Sequence, residues 1–293
     1  MYPGDEEPED VFGSSLFSLF AELPPVVSAS SPSQIFTYRD VSVMTPSTSN
    51  WQLQAHGVWR SAIYMVDHVE DLVISFYGSR ERIRSLDVLE LGAASGLPGL
   101  YVAKNFAPRL VTLSDYPDPA ILSTIRANIE MNRGVLPAKT TVHVVGHKWG
   151  DDAPQARVQS TLDLSDNNDV QLYDIIIAAD ILWLREEHNN LVRTLLSHLR
   201  KSHDSLVYLV VGLHTGRYPI DHFTQLANKS GLAVRMLREA NIAYSSGGTL
   251  FRDWAAEREG ETSSERGVWI VELVLGLSSQ QVDSKASSIS HGS

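Results

Sequence analysis

From Leu86 onward, short runs of apolar residues alternate with stretches whose apolar residues recur at helical spacing, and no other feature of the chain constrains its fold as strongly. The segment Leu86-Asp87-Val88-Leu89-Glu90-Leu91 reads as a strand, and Leu97 to Ala107 as a helix. Leu110 to Ser114 is the next strand, Pro119 to Met131 the next helix, and Thr141 to Val145 a third strand. Tyr173 to Ala179 is a fourth, backed by a helix over Glu187 to Leu199. Leu206 to Leu213 and a helix over Ile220 to Lys229 follow, then strands at Ala233 to Leu237 and Val268 to Leu275. Strands that are apolar almost throughout must be covered on both faces, which is the condition of a mostly parallel sheet with helices on each side. The expected fold is therefore α/β, a Rossmann-like, seven-stranded, mostly parallel twisted sheet. Upstream, Ile35 to Val43 alternates as a strand, closed by Pro46. Gly57 to Tyr77 carries Val58, Ile63, Val66, Val69, Leu72, Val73 and Phe76 at helical spacing. The segments 150–171 and 240–266 are polar and are expected as loops on the rim.

One domain over 34–277 accounts for this pattern. Residues 1–33 are expected to form a flexible acidic arm in which Phe12, Leu16, Phe17, Leu19 and Phe20 offer one short amphipathic turn. Residues 278–293 are Ser-rich and are expected to be a disordered tail. The acidic start, Met1 to Asp10, is unlike a secretory signal, and no uncharged run reaches the ~20 residues of a membrane span. A cytoplasmic protein with no membrane partner is expected. The 293 residues hold 35 acids against 24 Lys and Arg, a formal net charge of -11, which disfavours nucleic acid as a partner. Cysteine is absent, so disulfides, thiolate zinc sites and cysteine nucleophiles are excluded. The histidines show no pair at zinc-hydrolase spacing, and no metal site is expected.

Two motifs carry chemistry. Glu90-Leu91-Gly92-Ala93-Ala94-Ser95-Gly96-Leu97-Pro98-Gly99 leaves the first core strand and opens a helix. Glycines there let a ligand approach the backbone, so Gly92, Ala93 and Gly96 are candidates for binding a nucleotide-type cofactor. The loop lacks the Gly-Lys-Ser/Thr ending of a P-loop, which argues against ATP hydrolysis. Asp115, followed by Tyr116, ends the second strand about twenty residues past the loop, where an acid commonly accepts hydrogen bonds from ribose hydroxyls. Asp118 is the better candidate for capping the next helix. Together the motifs fit NAD as well as S-adenosylmethionine. A dinucleotide enzyme of this type usually needs a further substrate domain, for which little chain remains. Trp149-Gly150 follows the third strand and Asp180 ends the fourth, both at the carboxyl edge where ligands bind. Trp149 is placed to pack on an adenine face.

Leu89 to Pro98, then Ser114-Asp115-Tyr116-Pro117-Asp118-Pro119, resembles the family 16 lysine methyltransferases of the seven-strand class. Within that family the chain is similar to the fungal branch named either nicotinamide N-methyltransferase or elongation factor 1A N-terminal and lysine methyltransferase. The likeness extends over Glu6-Glu7-Pro8-Glu9-Asp10, His56-Gly57-Val58-Trp59, Lys148-Trp149-Gly150 and Ala179-Asp180-Ile181-Leu182-Trp183, and reaches the last strand. The resemblance implies that Trp59, Glu90, Gly92, Asp115, Trp149 and Ala179 line an S-adenosylmethionine site. Trp59 would stand beside the methionine portion, Glu90 near the cofactor's amino-acid end, and Asp115 at the ribose. Asp180 matches the acid of the family's Asp-x-x-Tyr motif, where the methyl acceptor enters. Trp183 stands where that motif has tyrosine, which removes a phenol but keeps an aromatic wall for a cation or a flat heteroaromatic ring. His214 follows the fifth strand on the same edge.

The implied activity is N-methyl transfer from S-adenosylmethionine. Its acceptor would be a protein amine, a lysine or an N-terminus, with a translation elongation factor as the expected partner. The alternative is a small heteroaromatic amine such as nicotinamide, and a more distant one an NAD-dependent oxidoreductase. Asp180, with Trp183 and His214, is the expected catalytic group, because a carboxylate can orient an amine and stabilise the cation that develops on nitrogen.

Overall fold

A computed structural model of the chain describes residues 26–28, 35–47, 53–151, 171–243 and 248–283. The amphipathic turn expected at Phe12 to Phe20, most of the 150–171 segment and the end of the Ser-rich tail lie outside the described residues.

The chain enters through short strands β1 (Val27–Ser28), β2 (Phe36–Tyr38), β3 (Val41–Val43) and β4 (Gly57–Val58), then helix α1 (Arg60–Tyr77). The core follows as β5 (Asp87–Leu91), α2 (Leu97–Phe106), β6 (Leu110–Asp115), α3 (Pro119–Asn132), β7 (Thr141–Gly146) and β8 (Ile175–Ala179). It continues with α4 (His188–His198), β9 (Leu206–Gly212), α5 (Tyr218–Lys229) and β10 (Leu232–Asn241). The chain closes with β11 (Leu250–Asp253), α6 (Ser263–Gly267), β12 (Trp269–Leu277) and α7 (Ser279–Asp283).

One sheet runs in the order β11-β10-β12-β9-β8-β5-β6-β7. From β9 to β7 every pairing is parallel, whereas β12 is antiparallel to both β9 and β10. All seven expected strands are present. The eighth, β11, pairs antiparallel with β10 along the edge, inside the segment expected as loop. Its side chains are mostly exposed, so the segment has no apolar alternation to announce a strand. Ile35 to Val43 also departs from the expected single strand. It is a hairpin, β2 against β3, whose turn residues Arg39 and Asp40 both take positive φ, 49° and 59°. At the other end, Ser279–Asp283 is helical within the range expected as tail.

Period-two alternation divides the core between the two faces of the sheet. Val88, Val111, Leu113, Ile175, Ile177, Tyr208 and Val210 face one way and pack with residues of α1, α2 and α3, including Met65, Leu100 and Ile125. Leu89, Leu91, Ile176, Ala178, Val207, Leu209 and Val211 face the other and pack with residues of α4 and α5, including Leu195 and Phe223. Helices α2 and α4 therefore leave neighbouring strands β5 and β8 toward opposite faces. That divergence opens a crevice at the carboxyl ends of β5 and β8, the position where ligands bind in open sheets of this kind. Among the described residues, no helix is long and apolar enough to cross a membrane.

Candidate functional site

The loop after β5 is wound by three positive φ angles, at Gly92 (65°), Ala94 (48°) and Gly96 (75°). A side-chain carbon at Gly92 would stand 2.7 Å from Ile181 Cγ2 and 3.9 Å from Trp149 Cζ2, so the missing side chain lets the β8 turn and Trp149 close over the loop. The Ala93 N–H donates to the Ser114 carbonyl at 3.0 Å, and the Ala94 N–H donates to Asp115 Oδ2 at 2.7 Å. These bonds hold loop and β6 together.

Asp115 is 9% exposed, and its Oδ1 accepts the Tyr116 N–H at 2.7 Å. Burial pushes its carboxyl up to about 6, although the amide donors of Ala94 and Tyr116 pull the other way. Each carboxylate oxygen has two acceptor sites, so one amide donor apiece leaves capacity for ribose hydroxyls. Tyr116 is exposed beside it. Asp118 caps α3, accepting the N–H groups of Ala120 and Ile121, which separates the capping acid from the candidate ribose acid. Glu90 is buried within the strand–loop–helix unit, where its Oε2 accepts the Gly99 N–H at 2.9 Å. Burial pushes its carboxyl up to about 8, with a smaller contribution from the Asp115 charge.

Beyond the crevice, Asp180 follows β8 with φ 58°, a conformation that few residues other than glycine adopt. Its N–H donates to the Val210 carbonyl at 2.8 Å, and its Oδ1 accepts the Gly212 N–H at 3.1 Å. His214 sits in a single helical turn, Leu213–Thr215, with Nε2 4.0 Å from Asp180 Oδ1. Gly212 permits this approach, since a side-chain carbon there would stand 2.5 Å from His214 Nδ1. The imidazole stacks on the Trp59 indole, with centroids 5.7 Å apart and planes 10° from parallel. Trp59 precedes α1 as its N-cap, and its Nε1–H donates to the Gln54 carbonyl at 2.9 Å. His56 packs edge-on to the same indole, and burial lowers its imidazole below the ordinary value.

The structure thus joins Gly92, Ala93, Gly96 and Asp115 in one unit, and Trp59, Asp180 and His214 in another. Trp149 packs toward Gly92, and Ala179 ends β8. Trp183 is half-buried in the turn after Asp180. The residue missed from the sequence is Ser61, fully buried in the first turn of α1, whose hydroxyl donates to Asp180 Oδ2 at 3.0 Å. Only its place two positions after Trp59 hinted at a role. The fit to an adenosyl cofactor rests on a buried carboxylate with spare acceptor capacity, next to a loop whose backbone is free of bulky side chains.

Residues 44–217 match the family described as lysine methyltransferase. That stretch contains every site residue named above. A protein N-terminal and lysine N-methyltransferase of Aspergillus fumigatus is 31% identical over 153 residues, 52% of this chain and 54% of that protein. Its namesake in Gibberella zeae is 31% identical over 195 residues, 64% of this chain and 70% of that protein. The Schizosaccharomyces pombe protein of the same name is 26% identical over 162 residues, 55% of this chain and 57% of that protein. Except in Gibberella, the chain spans about half the length of these relatives.

Proposed function

The chain belongs to the lysine methyltransferase family, and from that premise we propose that it transfers a methyl group from S-adenosylmethionine to an amine nitrogen of a protein, a lysine or an N-terminus. The acceptor we propose is a translation elongation factor, in line with the resemblance in the sequence motifs. The observation that carries this reading is a convergence at one sheet edge. Asp115 and the glycine loop stand on one side of the β5–β8 crevice, and Asp180, His214 and Trp59 on the other. Family membership counts against the NAD-dependent oxidoreductase.

When bound, S-adenosylmethionine supplies a methyl carbon already activated by its sulfonium, so the protein's task is orientation. Asp115 would accept the ribose hydroxyls, Trp149 would pack the adenine, and Trp59 would flank the methionine portion. Asp180 would accept an N–H of the incoming amine and stabilise the positive charge that develops on nitrogen. His214, with Nε2 4.0 Å from Asp180 Oδ1, would take the proton that an ammonium must lose first. Holding the amine in line contributes roughly 7–11 kcal/mol when the attack geometry is well aligned. A second reading, transfer to nicotinamide or a similar ring, draws support from the flat indole of Trp183 where the family motif has a phenol.

The test incubates the purified chain with methyl-labelled S-adenosylmethionine, separately against cell extract and against nicotinamide. Label in a protein band, mapped by mass spectrometry to an amine of an elongation factor, is the expected result. Label in nicotinamide alone would move the assignment to the second reading, and no transfer in either arm would overturn both.

A further inference from the structure

We propose that Ser61 is a positioning residue for methyl transfer, fixing the plane of the Asp180 carboxylate through its buried hydroxyl. The inference rests on the methyltransferase reading and adds to it a residue that the motifs do not name.

The need for such a residue follows from the torsions of aspartate. Its terminal torsion joins a tetrahedral carbon to a planar one, so its preference is broad and no rotamer well fixes the carboxylate plane. Hydrogen bonds must do so. Asp180 Oδ1 is held by the Gly212 N–H at the end of β9. Oδ2 is held by Ser61, from an element 119 residues away in sequence. The backbone beneath is itself constrained, at φ 58° and with its N–H bonded to Val210. Two bonds from two different elements thus define the plane, and each oxygen keeps acceptor capacity for an incoming amine.

Ser61 is also well placed to keep that plane in step with the cofactor side. It lies in the first turn of α1, two residues after the Trp59 N-cap, and the Trp59 ring stacks on His214. A single turn of helix therefore touches the residues that follow both β8 and β9. The hydroxyl is fully buried, so water is not at hand to replace it. Its role is orientation, since it contacts the carboxylate and not the acceptor.

The test compares Ser61→Ala and Ser61→Cys with the wild-type chain, measuring kcat, acceptor KM, cofactor Kd and melting temperature. Cysteine fills the space of serine but is a weak donor, which separates the hydrogen bond from packing. Both variants should lose kcat by about tenfold, the equivalent of one good hydrogen bond in the transition state. Cofactor Kd should stay within about twofold, and melting should change little in Ser61→Cys. Wild-type kcat in Ser61→Cys overturns the proposal, and so does a rise in cofactor Kd that matches the fall in kcat. A wild-type chain that transfers no methyl to any amine overturns the underlying reading instead, and the two failures are distinct.

Discussion

Glu90 gives the stability of this protein an unusual dependence on pH. Its carboxyl ordinarily titrates near 4.5, and in the fold burial pushes it up to about 8. Below 4.5 the group is neutral in both the folded and unfolded chain and does not discriminate between them. Between 4.5 and 8 the unfolded chain ionises and the folded chain does not, so the unfolded state is favoured increasingly as pH rises. The slope is about 1.4 kcal/mol per pH unit, and it vanishes above the folded value. Asp115, raised in the same direction, acts only up to its folded value of about 6. His56, His143 and His188, held below their ordinary 6.5 by burial, act with the opposite sign but only below that value. From pH 6.5 to 8 the Glu90 contribution stands alone among them, and the chain should lose about 2 kcal/mol of unfolding free energy over that interval. Glu90→Gln keeps an oxygen for the Gly99 N–H and cannot ionise, so its stability should be flat across the interval. Urea unfolding of both proteins at half-unit steps of pH, without cofactor, measures the difference. A flat wild-type profile, or an equal slope in Glu90→Gln, refutes the reasoning.

Three further outcomes are expected. Asp115→Ala should weaken S-adenosylmethionine binding by about ten- to a hundredfold in calorimetry, since a charge-assisted acceptor is lost; unchanged affinity removes Asp115 from the site. Asp180→Ala should lower turnover by at least about tenfold while cofactor affinity holds, and a fully active variant rejects its proposed role. Arg217 is nearly buried between Glu239 and Glu261, which it bonds at 2.7 Å each while Arg252 bonds both. Arg217→Met should therefore cost about 1–3 kcal/mol in urea unfolding, and an unchanged midpoint shows the cluster to be neutral.

The sheet was legible because its strands are buried on both faces, and burial writes itself into sequence as uninterrupted apolar runs such as Ile175–Ala179. The loop and Asp115 were legible from their placement, the glycines between the first core strand and a helix and the acid at the end of the next strand. What escaped is what burial does not encode. Strand β11 is exposed at an edge and carries no pattern. The β2–β3 turn uses Arg39 and Asp40 at positive φ, where glycine or asparagine would have signalled a hairpin. Asn128 and Asn132, buried on α3, bind the backbone at Met44 and Ser42, an anchorage that depends on a contact distant in sequence. Ser61 escaped for the same reason, because its partner Asp180 becomes its neighbour only once the sheet has formed. The resemblance implies Glu90 near the cofactor, while its bond to the Gly99 amide, visible only in three dimensions, ties it to the first turn of α2.

Calorimetric titration of the purified chain with S-adenosylmethionine, repeated on Asp115→Ala, examines the crevice between β5 and β8 most directly. A saturable heat in the wild type, competed by S-adenosylhomocysteine and sharply weakened in the variant, is the expected result. No heat in the wild type, or identical isotherms from the two proteins, contradicts a cofactor held at that edge.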